Sequence, residues 1–149
     1  MRTIDTTITI AAPPGTVWDV LVDFGSYHEW NPFIRKGAGD PVAGTRLTLD
    51  IQPPGDKLMT HHPIIQVAEP GRHLQWLGVF KTPLLLAARH EFVLEAEGDG
   101  TKLRQREYFS GIAVLFLART LRRTEEGFHA LNLALKQRAE SSAGVPRVE

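Results

Sequence analysis

The chain has 149 residues, 42% hydrophobic and 23% charged, which suits one domain able to bury a core without cross-links or metals. Lysine plus arginine (17) equals aspartate plus glutamate (17), so the basic excess of a phosphate-binding protein is missing and no nucleic-acid partner is expected. With no cysteine, disulfides, thiolate metal sites and cysteine nucleophiles are excluded.

Ile4, Thr6, Ile8 and Ile10 fall on alternate positions and predict a first strand. This N-terminus lacks the continuous apolar stretch of a secretion signal, so a cytoplasmic location is expected. Pro13-Pro14-Gly15 ends the strand, and Val17, Val20, Leu21 and Phe24 then recur at helical spacing. Tyr27–Trp30 reads as one further helical turn, cut off by Asn31-Pro32.

Six candidate strands follow: Phe33–Ala38, Thr45–Gln52, Met59–Glu69, His73–Phe80, Ala88–Glu97 and Thr101–Gly111. Short proline- and glycine-containing turns separate them and imply antiparallel neighbours. Asp99-Gly100 is read as the two-residue turn of the last hairpin, with Gly98 opposite Thr101 and Phe92 opposite Glu107. After Gly111 the period changes. Leu117, Leu121, Phe128, Leu131 and Leu135, with Thr124 in the vacant place, form the apolar stripe of one long helix. That helix is the element able to cover the apolar face of the sheet, which makes the chain an α+β domain over residues 1–140 with a fraying tail at 141–149.

This order resembles the START/Bet v 1-like (SRPBCC) helix-grip superfamily, in its polyketide cyclase/dehydratase-like branch. The residues that carry the resemblance are Pro13-Pro14 through Val17–Leu21, Tyr27–Pro32, His90–Leu94, Gly100-Thr101, Gln105–Gly111 and Gly127-Phe128. The resemblance implies a curved antiparallel sheet of about seven strands wrapped around the C-terminal helix, with two short helices after the first strand. It also implies a deep cavity between sheet and helix. The superfamily hosts binding, transport and cyclisation on one scaffold, so it does not choose among them.

Strand parity narrows the candidate chemistry. Lys102, Arg104, Arg106 and Tyr108 share the solvated face of their strand, so Leu103, Gln105, Glu107 and Phe109 point inward. On the preceding strand Arg89, Glu91, Glu95 and Glu97 face out, and His90, Phe92, Leu94 and Ala96 face in. The assumed turn puts His90 diagonal to Glu107, about 7–8 Å away. A carboxylate and an imidazole in an apolar concavity need partners, so Glu107 and His90 are either an acid/base pair, a ligand anchor or a self-satisfied structural pair. Trp30, Trp76, His90, Phe92, Gln105, Glu107, Phe109, Leu117, Leu121 and Phe128 are the expected ligand-lining set. His61-His62 looks like a metal pair, but adjacent strand residues point to opposite faces, so no metal is expected, and no motif calls for a cofactor.

The apolar run Pro83–Ala88 is far shorter than the ~20 residues of a membrane span, so stable insertion is not expected. Buried, it is core; exposed, it is a gate, a docking surface or a dimer contact. Three functions follow. The first is a carrier or sequestering module for a small hydrophobic molecule such as a lipid, isoprenoid or aromatic polyketide, acting as a monomer or homodimer. The second is a cyclase or dehydratase using Glu107 and His90, and the third a protein-interaction module.

Overall fold

The computed structural model describes residues 1–144 of the chain. Strand β1 (Arg2–Ile10) leads into helix α1 (Pro14–Val22) and a 3-10 helix over Phe24–Glu29. Strands β2 (Ile34–Ala38), β3 (Thr48–Ile51) and β4 (Met59–His61) form one antiparallel sheet. Strands β5 (Ile64–Glu69), β6 (His73–Phe80), β7 (Leu86–Glu97) and β8 (Gly100–Ser110) join β1 in a second, ordered β1-β8-β7-β6-β5. A 3-10 helix over Ile112–Phe116 precedes helix α2 (Ala118–Gly144). This is the helix-grip architecture.

The expected strand Met59–Glu69 is in fact two. Pro63 has no N–H to offer a ladder, and the chain leaves one sheet at His61 and enters the other at Ile64. The sheets stay joined at the break, because Leu47 N–H donates to Pro63 O (2.8 Å) and Ile65 N–H to Thr45 O (2.9 Å).

The last hairpin also turns one residue earlier than expected. Glu97 pairs with Gly100, so Gly98-Asp99 are the turn residues, with the positive φ (60°) taken by Gly98. Glycine at the first turn position suits a II′ geometry, which the Asp-Gly reading overlooked. The inward parity of β7 and β8 survives this shift. The pairings do not: Phe92 stands opposite Gln105, and His90 directly opposite Glu107.

Glu91 lies on the outer face as expected but is buried there rather than exposed. It meets Arg106 at 2.5 Å and His73 at 3.0 Å, and accepts a hydrogen bond from Tyr108 (3.2 Å). Burial alone would raise its carboxyl; Arg106 and the His73 and Tyr108 hydrogen bonds outweigh that and hold it below the usual range.

On α2 the stripe Leu121, Thr124, Phe128, Leu131 and Leu135 is buried, while Leu117 sits half-buried just before the helix. The helix runs on through Ser141 and Ser142 to Gly144, where a fraying tail was expected, since an unbroken ladder carries these small residues. Residues 145–149 of that tail lie outside the described residues. The run Pro83–Ala88 divides: Pro83 and Leu84 are exposed, whereas Leu86–Ala88 belong to β7 and Ala88 is buried.

Gly127 has a packing reason. The Phe33 ring lies so close over it that a Cβ would overlap the ring, and Phe33 meets Phe128 edge-on at 5.7 Å. Gly127→Ala should therefore destabilise the fold by about 1–3 kcal/mol, despite a helix-propensity gain of ~1 kcal/mol. In a Phe33→Ala background the same substitution should be neutral or stabilising, and urea denaturation across the double-mutant cycle measures this.

Candidate functional site

Antiparallel register arranges the inner face of the large sheet into rows of side chains directly opposite one another. One row holds Thr6, Gln105, Phe92 and Leu74; the next holds Ile4, Glu107, His90, Trp76 and Ile65. Beyond these come Phe109, Ala88 and Gly78, and last Leu86 and Phe80. In the first two rows every member is buried except Glu107, whose side chain is 13% exposed. In the outer rows Gly78, Leu86 and Phe80 are only half-buried. The inner face is thus buried through the first two rows and at Phe109 and Ala88, and partly exposed around Gly78, Leu86 and Phe80.

The buried part is an aromatic stack around one imidazole. His90 lies 4.8 Å from the Phe92 ring, 4.8 Å from Phe128 and 4.9 Å from Trp76. Its Nε2 meets Gln105 Oε1 at 2.9 Å, and Gln105 Nε2 donates to Asn132 Oδ1 at 2.7 Å. Asn132 Nδ2 donates to Thr6 Oγ1 (2.9 Å), whose hydroxyl donates to Gln105 O (3.0 Å). Each link has a donor side and an acceptor side, so the chain of bonds has one direction and makes His90 Nε2 a donor. His90 Nδ1 is left facing Glu107 Oε2 at 3.6 Å, a distance for charge attraction rather than a hydrogen bond.

The partly exposed part brings in a residue from the small sheet. His61 pairs with Leu49 and shares its inward face, while its neighbour His62 is exposed. The His61 ring meets Phe80 edge-on at 5.1 Å and feels the charge of Glu107. Burial lowers its basicity; Glu107 opposes this and His62 adds to it, with a net lowering. The chemistry available here is one carboxylate and one imidazole of lowered basicity at the partly exposed edge of an apolar face. Among the described residues no three His, Cys, Asp or Glu converge as metal ligands.

The expected lining set is therefore split. Trp76, His90, Phe92, Gln105, Phe109, Leu121 and Phe128 are buried in the core, and Glu107 and Leu117 are part-buried at its edge. Trp30 belongs elsewhere, on a surface groove of about 330 Å³ shared with Asp19, Asp23 and Arg138. At 1.5 Å per residue, Arg138 is about 25–30 Å along α2 from Leu121. Another groove, of about 510 Å³, is lined by Arg72, His73, Leu94 and Glu95, at the end of β7 away from Ala88. His61, Gly78, Phe80 and Ala88 were not in the set, nor were Asn132 and Thr6, the partners of Gln105. Gly78 alternates with Leu74 and Trp76 on the inward face of β6, and its missing side chain is the signal the sequence carried there.

A large antiparallel sheet packed against a long C-terminal helix, with two short helices after the first strand, defines the helix-grip class of domains. The chain belongs to the polyketide cyclase/dehydrase and lipid transport family, whose model matches residues 1–140. Among curated proteins no sequence matches significantly. Solved structures similar to it include the Zhui aromatase/cyclase from Streptomyces sp. R1128, at 19% identity and TM-score 0.75, covering 95% of each chain. A START superfamily protein from Mycobacterium smegmatis is 18% identical with TM-score 0.72, over 95% of this chain and 99% of that one. The di-domain aromatase/cyclase StfQ of the steffimycin pathway is 18% identical with TM-score 0.74, over 96% of this chain and 52% of its own. At these identities the structures share the fold.

Two measurements test the site's construction. Asn132→Ala should cost about 1–3 kcal/mol in urea denaturation by stranding Gln105 and Thr6, whereas Glu107→Gln at the partly exposed edge should cost under about 1 kcal/mol. The sign for His61 follows from its lowered basicity: its neutral form belongs to the folded state. Stability is full above the unfolded value of 6.5 and falls as pH drops below it, because the unfolded chain takes up the proton first. His61→Gln should flatten the loss of stability between about pH 6.5 and 5, read from denaturation midpoints at several pH values.

Proposed function

We propose that the chain binds a small hydrophobic molecule, of the size and character of a lipid chain, isoprenoid or aromatic polyketide, and carries or sequesters it. The observation that carries this reading is the inward pairing of Gly78 with Ala88 beside Phe109, in a row that larger side chains would fill. A Cβ on Gly78 would meet nothing closer than 3.9 Å. The apolar body of the ligand lies against Ala88, Phe80, Phe109 and Leu117, and a single polar group meets Glu107 and His61. Burial of apolar area drives binding, and the two polar side chains set orientation. Family membership supports hydrophobic-ligand binding or cyclisation in general and does not separate them.

A second reading has one observation in its favour. Glu107 reaches the hollow and stands beside two imidazoles, His90 and His61, a pattern suited to moving a proton at an enolisable ketone. His90 itself is 2% exposed with Nε2 engaged, so in that case Glu107 would meet the substrate and His90 would steady it.

Fluorescence titration with cis-parinaric acid tests the first reading. Micromolar binding by the parent chain is expected, weakened at least ~tenfold by Ala88→Leu with the fold intact. Binding unchanged in that variant would remove the hollow as the site. Glu107→Gln should shift affinity less than ~fivefold in a carrier; a loss of turnover of ~100-fold or more on a poly-β-keto substrate would establish the enzyme instead.

A further inference from the structure

We infer that the end of the molecule formed by the β6–β7 loop and the 3-10 helix before α2 docks onto an anionic lipid bilayer. Large apolar side chains protrude there into water: Leu84 is 82% exposed, Ile112 67%, Leu115 81% and Phe116 85%. The two segments are fastened together, since Ile112 N–H donates to Leu84 O and Ala113 N–H to Leu85 O, both at 3.0 Å. Gly111 (φ 107°) presses so closely on Leu85 that no side chain fits between them. The tip is thus a preformed apolar surface, larger than scattered single residues require.

Charge supplies the partner. From 76 to 90 and from 108 to 124 the sequence contains no Asp or Glu, yet it carries Lys81, Arg89, Arg119, Arg122 and Arg123. The acids of the large sheet's far turns, Glu95, Glu97 and Asp99 among them, lie at the opposite ends of the same strands. A chain of zero net charge is therefore polarised, with cations around its apolar tip. The acids that adjoin these stretches are Asp56, 4.0 Å from Arg123, the inward Glu107, and Glu125 and Glu126 in the following turn of α2. The backbone donors of Ile112 and Ala113 are already engaged, so the tip offers apolar side chains and cations and no strand edge for a peptide. Apolar groups ringed by cations match an interface of acyl chains beneath anionic headgroups. No helix among the described residues is long and apolar enough to cross a membrane, so the attachment is peripheral.

The inference goes beyond the ligand-binding proposal and needs no bound ligand. Co-sedimentation with phosphatidylcholine vesicles, with and without roughly 30% phosphatidylglycerol, tests it. The parent chain should partition onto the anionic vesicles, and less so as NaCl rises from about 0.1 M to 0.5 M. The combined Leu84→Ser, Leu115→Ser and Phe116→Ser variant should lose partitioning at least ~tenfold, and Arg119→Gln with Arg122→Gln should lose the anionic preference. All five side chains are exposed, so unchanged urea midpoints should certify folding. A parent chain that stays in the supernatant, or a triple variant that binds as well as the parent, would overturn the proposal. So would a concentration-dependent dimer abolished by the same triple variant, which would assign the tip to a second copy.

Discussion

Gln105 is the side chain through which sheet and helix are held in one relation. Apolar packing between a curved sheet and a helix is non-directional, and a helix can slide along such a surface at modest cost. The Gln105 amide ends that freedom: its nitrogen donates to Asn132 Oδ1 and reaches Phe128 O at 3.4 Å, and its oxygen takes the His90 ring proton. Any shift of α2 by a turn would strand several buried polar groups, at about 1–3 kcal/mol each. Thr6 extends the same bonds to β1, so two strands, the helix and the imidazole of a third strand share one polar centre.

Where that pin sits along the helix decides where the inner face is most tightly packed. Around Gln105 the row partners are large, and His90, Phe92, Trp76 and Phe128 close on one another. Further along the strands the inner face passes to the small residues Ala88 and Gly78, while Leu117, just before α2, is only half-buried. Glu107 stands on the boundary. Its position lets it face the interior imidazole at 3.6 Å while its side chain stays 13% exposed.

The outer face has its own fixed point in Glu91, which draws β6 and β8 onto β7 through His73, Arg106 and Tyr108. A carboxylate on the solvent side of a strand reads as exposed because alternation alone assigns it to water. It is buried because long cationic and aromatic side chains on the neighbouring strands fold over it, and their reach is a property of the sheet rather than of the strand.

The linear pattern already contained the alternating strands, the short helix after Pro13, the stripe of the long helix and the inward parity of His90, Gln105, Glu107 and Phe109. These follow from local periodicity, which a side chain obeys whatever it later touches. What the fold alone decided was pairing. A turn displaced by one residue moved Glu107 from Phe92 to His90, and Pro63 divided one long run between two sheets so that His61 entered from the small sheet. Asn132, a polar residue amid a helix, carried no mark of its role until Gln105 stood against it. Periodicity says which way a residue points; which partner waits there depends on contacts between segments from 15 to 126 residues apart, and those exist only once the sheet has closed around its helix.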